Sequence, residues 1–171
     1  MAVRHRARDL TPSELRQPWL RVLAGDLFET LFDTAGGIGL AATQTGVLLR
    51  IAVIALRDGS KPIVLVNPSY EPAGPETDTA DERCLSVPGF AAAVPRYTSI
   101  RASFVDLGGK RHETLQEGFL AREMQHEIDH LDGILCIDRV ADKTAIRAES
   151  GGYPARQAAR AIEEIESGEA E

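Results

Sequence analysis

The chain has 171 residues, 43% of them apolar and 26% charged, and carries a net charge of −7. This suits one domain with a sizeable core, and the acidic balance argues against a broad nucleic-acid surface, so no DNA partner is expected. No apolar run nears the roughly 20 residues of a membrane span, and the basic start has no apolar stretch behind it, so neither a membrane anchor nor a secretory signal is expected.

Residues 1–10 are rich in arginine and poor in apolar side chains, which predicts a loose N-terminus. An arginine-rich opening also suits an organelle transit peptide, but Asp9 and Glu14 arrive too early for one. Thr11, Pro12, Ser13 and Glu14 read as a capping box, with Thr11 as N-cap and Pro12 at the first helical position. Leu20, Leu23, Ala24, Leu27, Phe28, Leu31 and Phe32 follow at helical spacing, predicting an amphipathic helix on a core. Gly37, Gly39 and Ala42 then imitate a dinucleotide-binding loop, but here a helix precedes and a strand follows, the reverse of that motif. The glycines point instead to close backbone approach, with Gln44 either set beside it or solvated on a tight turn.

Residues 47–56 and 61–67 read as strands, the second stopped by Asn67 and Pro68. Acids, prolines and Gly74 make residues 71–81 a predicted loop, and residues 82–89 a short turn-rich segment. Residues 94–106 alternate as a strand, and a turn through Gly108 and Gly109 leads into a hairpin partner over 110–117. His112 on that polar strand is expected to be solvated. Residues 119–131 form the next predicted helix, opened by Gly118 and stopped by Gly133. Beyond the break at Gly151, Gly152 and Pro154, a last helix is predicted over 155–165, with residues 166–171 fraying. One domain over residues 1–171 is expected.

The chemistry concentrates on the helix over 119–131. His126, Glu127 and His130 form a His-Glu-x-x-His pattern. Residues four apart share a helical face, so both imidazoles can meet one metal ion while Glu127 reaches a water beside it. A third ligand is needed. Of the two cysteines, Cys136 lies in an apolar run and reads as core, whereas Cys84 has polar neighbours in Glu82 and Arg83. Cys84 is a buried small residue or, the sharper reading, the thiolate that completes a Cys-His-His site. Two cysteines make no disulfide framework and fit a reducing cytosol.

Three segments, Gly37-Ile-Gly-Leu-Ala-Ala-Thr-Gln44, Glu82-Arg-Cys-Leu-Ser86 and Gln125-His-Glu-Ile-Asp-His130, together resemble the motifs of peptide deformylases, in the same order. The resemblance extends over residues 27–140. It implies a compact α+β fold, with antiparallel strands around a central metal-binding helix, in a bacterial cytoplasmic enzyme. It implies removal of the N-formyl group from N-formylmethionyl peptides of nascent proteins, with release of formate. By the same resemblance, Cys84, His126 and His130 bind one divalent metal, commonly Fe(II), with Zn, Ni or Co tolerated. Glu127 acts as base and then acid, and the Gln44 amide and Leu85 N–H steady the oxyanion. Ile38 and Phe119 match positions lining a methionine pocket, Gly39 a position meeting the substrate backbone, and Glu82 with Arg96 a charged pair behind the cysteine loop.

Some residues depart from the family. Arg83 stands where a glycine is usual: if the position needs positive φ, arginine strains the loop by roughly 1–2 kcal/mol, and if not, its side chain overhangs the cleft. Arg122 and Glu123 replace smaller or apolar residues near the pocket, and the usual N-terminal segment, with its strand, is not recognisable in residues 1–20. A transient ribosome contact comes with the resemblance, but the acidic C-terminal helix, with Glu163, Glu164 and Glu166 against Arg156 and Arg160, is not expected to supply it. Two other classes compete with the deformylase: a different metal-dependent amidase or peptidase, and a non-catalytic metal-binding relative. Gln44 and Leu85 argue against the first, and Glu127 against the second.

Overall fold

The structure, a computed structural model, describes residues 2–149. The expected helix over 155–165 and the fraying end over 166–171 lie outside these residues. Two antiparallel sheets and two α-helices make up the frame. Helix α1 spans Pro18–Asp33. Strands β1 (Gly39–Ala41), β2 (Ile51–Ile54), β3 (Ile63–Pro72), β6 (Ser99–Val105) and β7 (Arg111–Glu117) form one sheet in that order. Strands β4 (Thr77–Arg83), β5 (Phe90–Tyr97) and β8 (Ile146–Ala148) form the other. Helix α2, Gly118–Leu131, packs against members of both. This is the α+β arrangement of antiparallel strands around the helix that carries the histidines.

Strand β2 is apolar throughout because both of its faces are covered. Ile51 and Val53 point into a cluster with Leu20, Leu27 and Leu31 of α1, while Ile54 joins Ala121 and Met124 of α2. Side chains alternate across a strand, so a doubly covered strand must read as a continuous apolar run. Helix α2 is likewise enclosed: every residue from Met124 to Leu131 is buried, and polar side chains there have to find partners inside the protein.

Several expectations are corrected. The α1 helix begins at Pro18, not at Thr11: Glu14 does accept the Thr11 N–H at 2.8 Å, but the box closes only the short 3-10 turn Glu14–Arg16. Strand β3 does not stop at Pro68. Asn67 takes φ 49° and the register slips between Val66 and Ser69, a bulge that lets the strand pass the proline. The predicted loop over 71–81 contains most of β4, a polar strand in which only Glu82 is buried, so it offered no apolar alternation to read. The single strand expected over 94–106 is two strands in different sheets, and residues 39–41 form an unforeseen edge strand.

The N-terminus is not loose. Val3, Ala7 and Leu10 are buried, the Ala7 N–H donates to the Leu131 carbonyl at 2.8 Å, and the Asn67 side chain both accepts from the Leu10 N–H and donates to its carbonyl. Arg8 makes an isolated parallel bridge to Leu49, a remnant of strand pairing where the sequence shows none. His112 is not simply solvated either: it meets the Asp106 carboxylate at 2.7 Å and stacks on Phe104.

Candidate metal centre

Helix α2 begins on Gly118, whose φ of 59° lets the chain turn out of β7, and ends before Gly133 at φ 78°. Between these stops the helical repeat sets His126 and His130 one above the other, with their Nε2 atoms 3.1 Å apart. Cys84, just past the end of β4, brings its Sγ to 3.1 Å from His130 Nε2. The three donor atoms lie within 4.8 Å of one another and all three residues are buried. Two imidazoles and a thiol converging this closely form a donor set for one metal ion.

What surrounds the donors fixes their aim. Glu82 accepts from His126 Nδ1 at 2.9 Å, which turns Nε2 toward the cluster. Glu82 is itself gripped by Arg96 through two 2.9 Å hydrogen bonds and by Arg122 at 2.7 Å. Burial alone would raise the Glu82 pKa, but Arg96 and His126 overcome it and hold the carboxyl at about 2. Burial likewise opposes protonation of His126, yet Glu82 and Glu127 lift it to about 9 before any metal's charge is added. Arg96 also binds Asp129, which Arg139 holds from the other side. Cys136 and burial push the free Cys84 thiol well above its ordinary value, and Cys136 packs in the apolar core as expected, in the same buried cluster as Cys84.

Glu127 is sealed in and pushed up to about 8, chiefly by loss of water. Its Oε2 is buried without a hydrogen-bond partner among the described residues. Gly39 explains how the carboxylate fits: a Cβ there would stand 2.3 Å from Glu127 Oε1. The glycine, expected to meet substrate through its backbone, has this second duty. Gln44 is held rather than solvated, since its Oε1 accepts the Ala41 N–H at 2.8 Å and its Nε2 donates to Ser86 Oγ at 3.1 Å. That leaves one amide hydrogen of Nε2 free to face the cleft.

A cleft of about 480 Å³ opens over these groups, lined by Ile38, Gly39, Gln44, Glu82, Cys84, Leu85, Phe119, His126 and Glu127 among others. Arg96 stands behind it, reaching the cleft only through Glu82. Arg83 is not strained, because its φ is not positive; its side chain extends along the rim to Glu149 at 2.6 Å. Sequence reasoning missed Asp129, Arg139 and Ser86, whose partners are distant in the chain and carry no spacing signal.

Comparison with known proteins agrees with this geometry. The polypeptide deformylase family model matches residues 2–145. A peptide deformylase of Endomicrobium trichonymphae is 47% identical over 124 residues, covering 72% of this chain and 73% of that protein. Among solved structures, the Synechococcus elongatus peptide deformylase in complex with actinonin superposes with a TM-score of 0.77 at 33% identity, covering 84% of this chain and 78% of the other. The Acinetobacter baumannii peptide deformylase bound to Met-Ala-Ser gives 0.77 at 32% identity, covering 81% and 92%. Fold and site thus define a metal-dependent hydrolase. The chain belongs to the polypeptide deformylase family.

Proposed function

We propose that this chain hydrolyses the N-formyl group of N-formylmethionyl peptides, with Cys84, His126 and His130 holding one divalent metal. The observation that carries the reading is the unpartnered, buried Glu127 carboxylate beside three convergent donors: a site built only to hold an ion has no use for it. A divalent metal in that donor set supplies Lewis acidity and makes water ionisable near neutrality. The thiolate favours softer ions, and we assign Fe(II), with Zn, Ni or Co as substitutes.

The chain's own groups carry the proton and the charge. Glu127, in its ionised form, removes a proton from water as the oxygen attacks the formyl carbon. Oxyanion character then develops on the formyl oxygen. We assign the free hydrogen of Gln44 Nε2 and the Leu85 N–H as its donors, each such donor worth about 3 kcal/mol. As the C–N bond breaks, Glu127 returns the proton to the departing amine, leaving formate and a free N-terminus. Glu82 keeps His126 in the tautomer that presents Nε2 to the ion. Ile38 and Phe119 offer the apolar wall for the first side chain. No helix among the described residues is long and apolar enough to cross a membrane. The test is formate release from formyl-Met-Ala-Ser by anaerobically purified, Fe(II)-loaded protein; bound metal without formate would overturn the reading.

A further inference from the structure

The glycine stretch that walls the cleft has few side chains with which to hold itself in place. Ala35, Gly36, Gly37, Ile38 and Gly39 line the cleft in succession, and glycine has the most conformational freedom to lose on ordering. A Cβ on Gly36 would meet nothing within 4 Å, so no packing covers that face of the turn. Yet the placement of the stretch matters. A Cβ on Gly39 would stand 2.3 Å from Glu127 Oε1, and β1, which begins at Gly39, is the edge strand of its sheet. A shift of the loop therefore moves the wall of the cleft beside the proton carrier.

Arg57 reaches this loop from the far side of β2. Its Nε donates to the Gly37 carbonyl at 2.9 Å, next to the backbone bond from the Ala55 N–H to the Ile38 carbonyl at 2.7 Å. The same guanidinium grips the end of α1, donating from Nη2 to the Leu31 carbonyl at 3.2 Å and the Thr34 carbonyl at 3.5 Å. Its Cζ lies 5.7 Å from the centre of the Phe32 ring. Helix α1 has no basic residue in its last turn, so Arg57 supplies the cation that the carbonyl end of a helix favours. One side chain thus bridges the end of α1 and the loop that leads into β1. The Arg57 backbone takes φ 59°, a positive value that only Asn67 shares among the described non-glycine residues. Glycine would hold that conformation at less cost. Asn67 uses its side chain to tie down Leu10, and an arginine kept in glycine's conformation likewise points to work done by its side chain.

We propose that Arg57 is a positioning residue for the cleft: through the Gly37 carbonyl it holds residues 36–39 in the conformation that receives the peptide. It touches neither the substrate nor the reacting atoms. Without it the loop is ordered only when a peptide binds, and binding is weakened by that ordering. Once the peptide is bound the loop is in place, so the chemical step suffers less than binding does. The inference rests on the deformylase reading of the site.

The experiment compares metal-loaded wild type with Arg57→Ala, Arg57→Lys and Arg57→Gly. It measures kcat and KM for formyl-Met-Ala-Ser, the Kd of the product Met-Ala-Ser by calorimetry, hydrogen exchange along the chain, and the urea midpoint. Arg57→Ala is expected to raise KM and Kd about tenfold, the order of one charge-assisted hydrogen bond, with kcat changing less. Exchange quickens over residues 35–41 and not over residues 126–130. Arg57→Lys, which keeps the cation, recovers part of the affinity. Arg57→Gly separates positioning from stability: it relieves the backbone and unfolds at a higher urea concentration than Arg57→Ala, yet its Kd stays as weak. Wild-type Kd and wild-type exchange in Arg57→Gly overturn the proposal, and so does an affinity that follows the urea midpoint across the series. Formate absent from every sample, while exchange and Kd still shift, overturns the deformylase reading and leaves the role of Arg57 standing.

Discussion

At the scale of single residues, the site depends on small side chains as much as on its ligands. Gly39 leaves the space that Glu127 occupies, and Gly39→Ala drives a methyl against the carboxylate. The expected result is a loss of about a hundredfold in kcat, the order found when a catalytic group is displaced by an ångström, with metal content unchanged; unchanged turnover would show that Glu127 sits elsewhere when it acts. Glu82 is the second such position. Its carboxyl is held at about 2 in the folded protein against an ordinary 4.5, so its contribution to stability is complete above pH 4.5 and is lost as pH falls toward 2. Glu82→Gln leaves Arg96 and Arg122 short of a buried partner and is expected to cost about 3 kcal/mol at pH 7. Urea unfolding of the metal-free protein from pH 7 down to 2 should show the variant less acid-dependent than wild type below pH 4.5. Parallel curves would mean that Glu82 does not carry the linkage.

At the scale of elements, the end of α2 is tied to the N-terminus. Gly133 takes φ 78°, and a Cβ there would lie 2.7 Å from the Arg4 carbonyl oxygen. Gly133→Ala therefore pays for left-handed backbone, about 1–2 kcal/mol, and also pushes away the segment carrying Val3 and Ala7. Its urea midpoint should fall by more than the backbone strain alone explains; an unchanged midpoint would mean that this segment contributes nothing to stability. The elements also show why the sequence was readable in some places and not in others. The α2 helix was legible because its stops, Gly118 and Gly133, and its ligand spacing are local. Strand β4 was not, because its residues are polar and their partners lie in β5 and α2. Strand β3 was cut short because Pro68 signals a stop, and only the pairing with β6 shows that a bulge carries the strand past it. The order of residues 2–10 depends on Asn67 and Leu131, far away in the chain, and no local pattern announces it.

At the scale of the molecule, the two sheets and α2 bring together three stretches that are separate in sequence: the edge strand with Gly39 and the turn after it with Gln44, the Cys84 turn, and the histidine helix. Each was visible alone as an ambiguous signal, a glycine loop, a lone cysteine and a common metal pattern. Their convergence on one buried cluster was legible only through the resemblance of the three motifs taken together. The buried network of Glu82, Arg96, Arg122 and Asp129 that supports the cluster was legible only as one charged pair, since its other members carry no pattern that distinguishes them from surface charges. The central claim, that Glu127 moves the proton while Cys84, His126 and His130 hold the ion, is tested most directly by Glu127→Gln. Formate release from formyl-Met-Ala-Ser and metal per chain are measured together on variant and wild type. The account predicts metal retained and kcat reduced by about a thousandfold or more, the scale of a lost acid-base group. Metal retained with near wild-type formate release would contradict it.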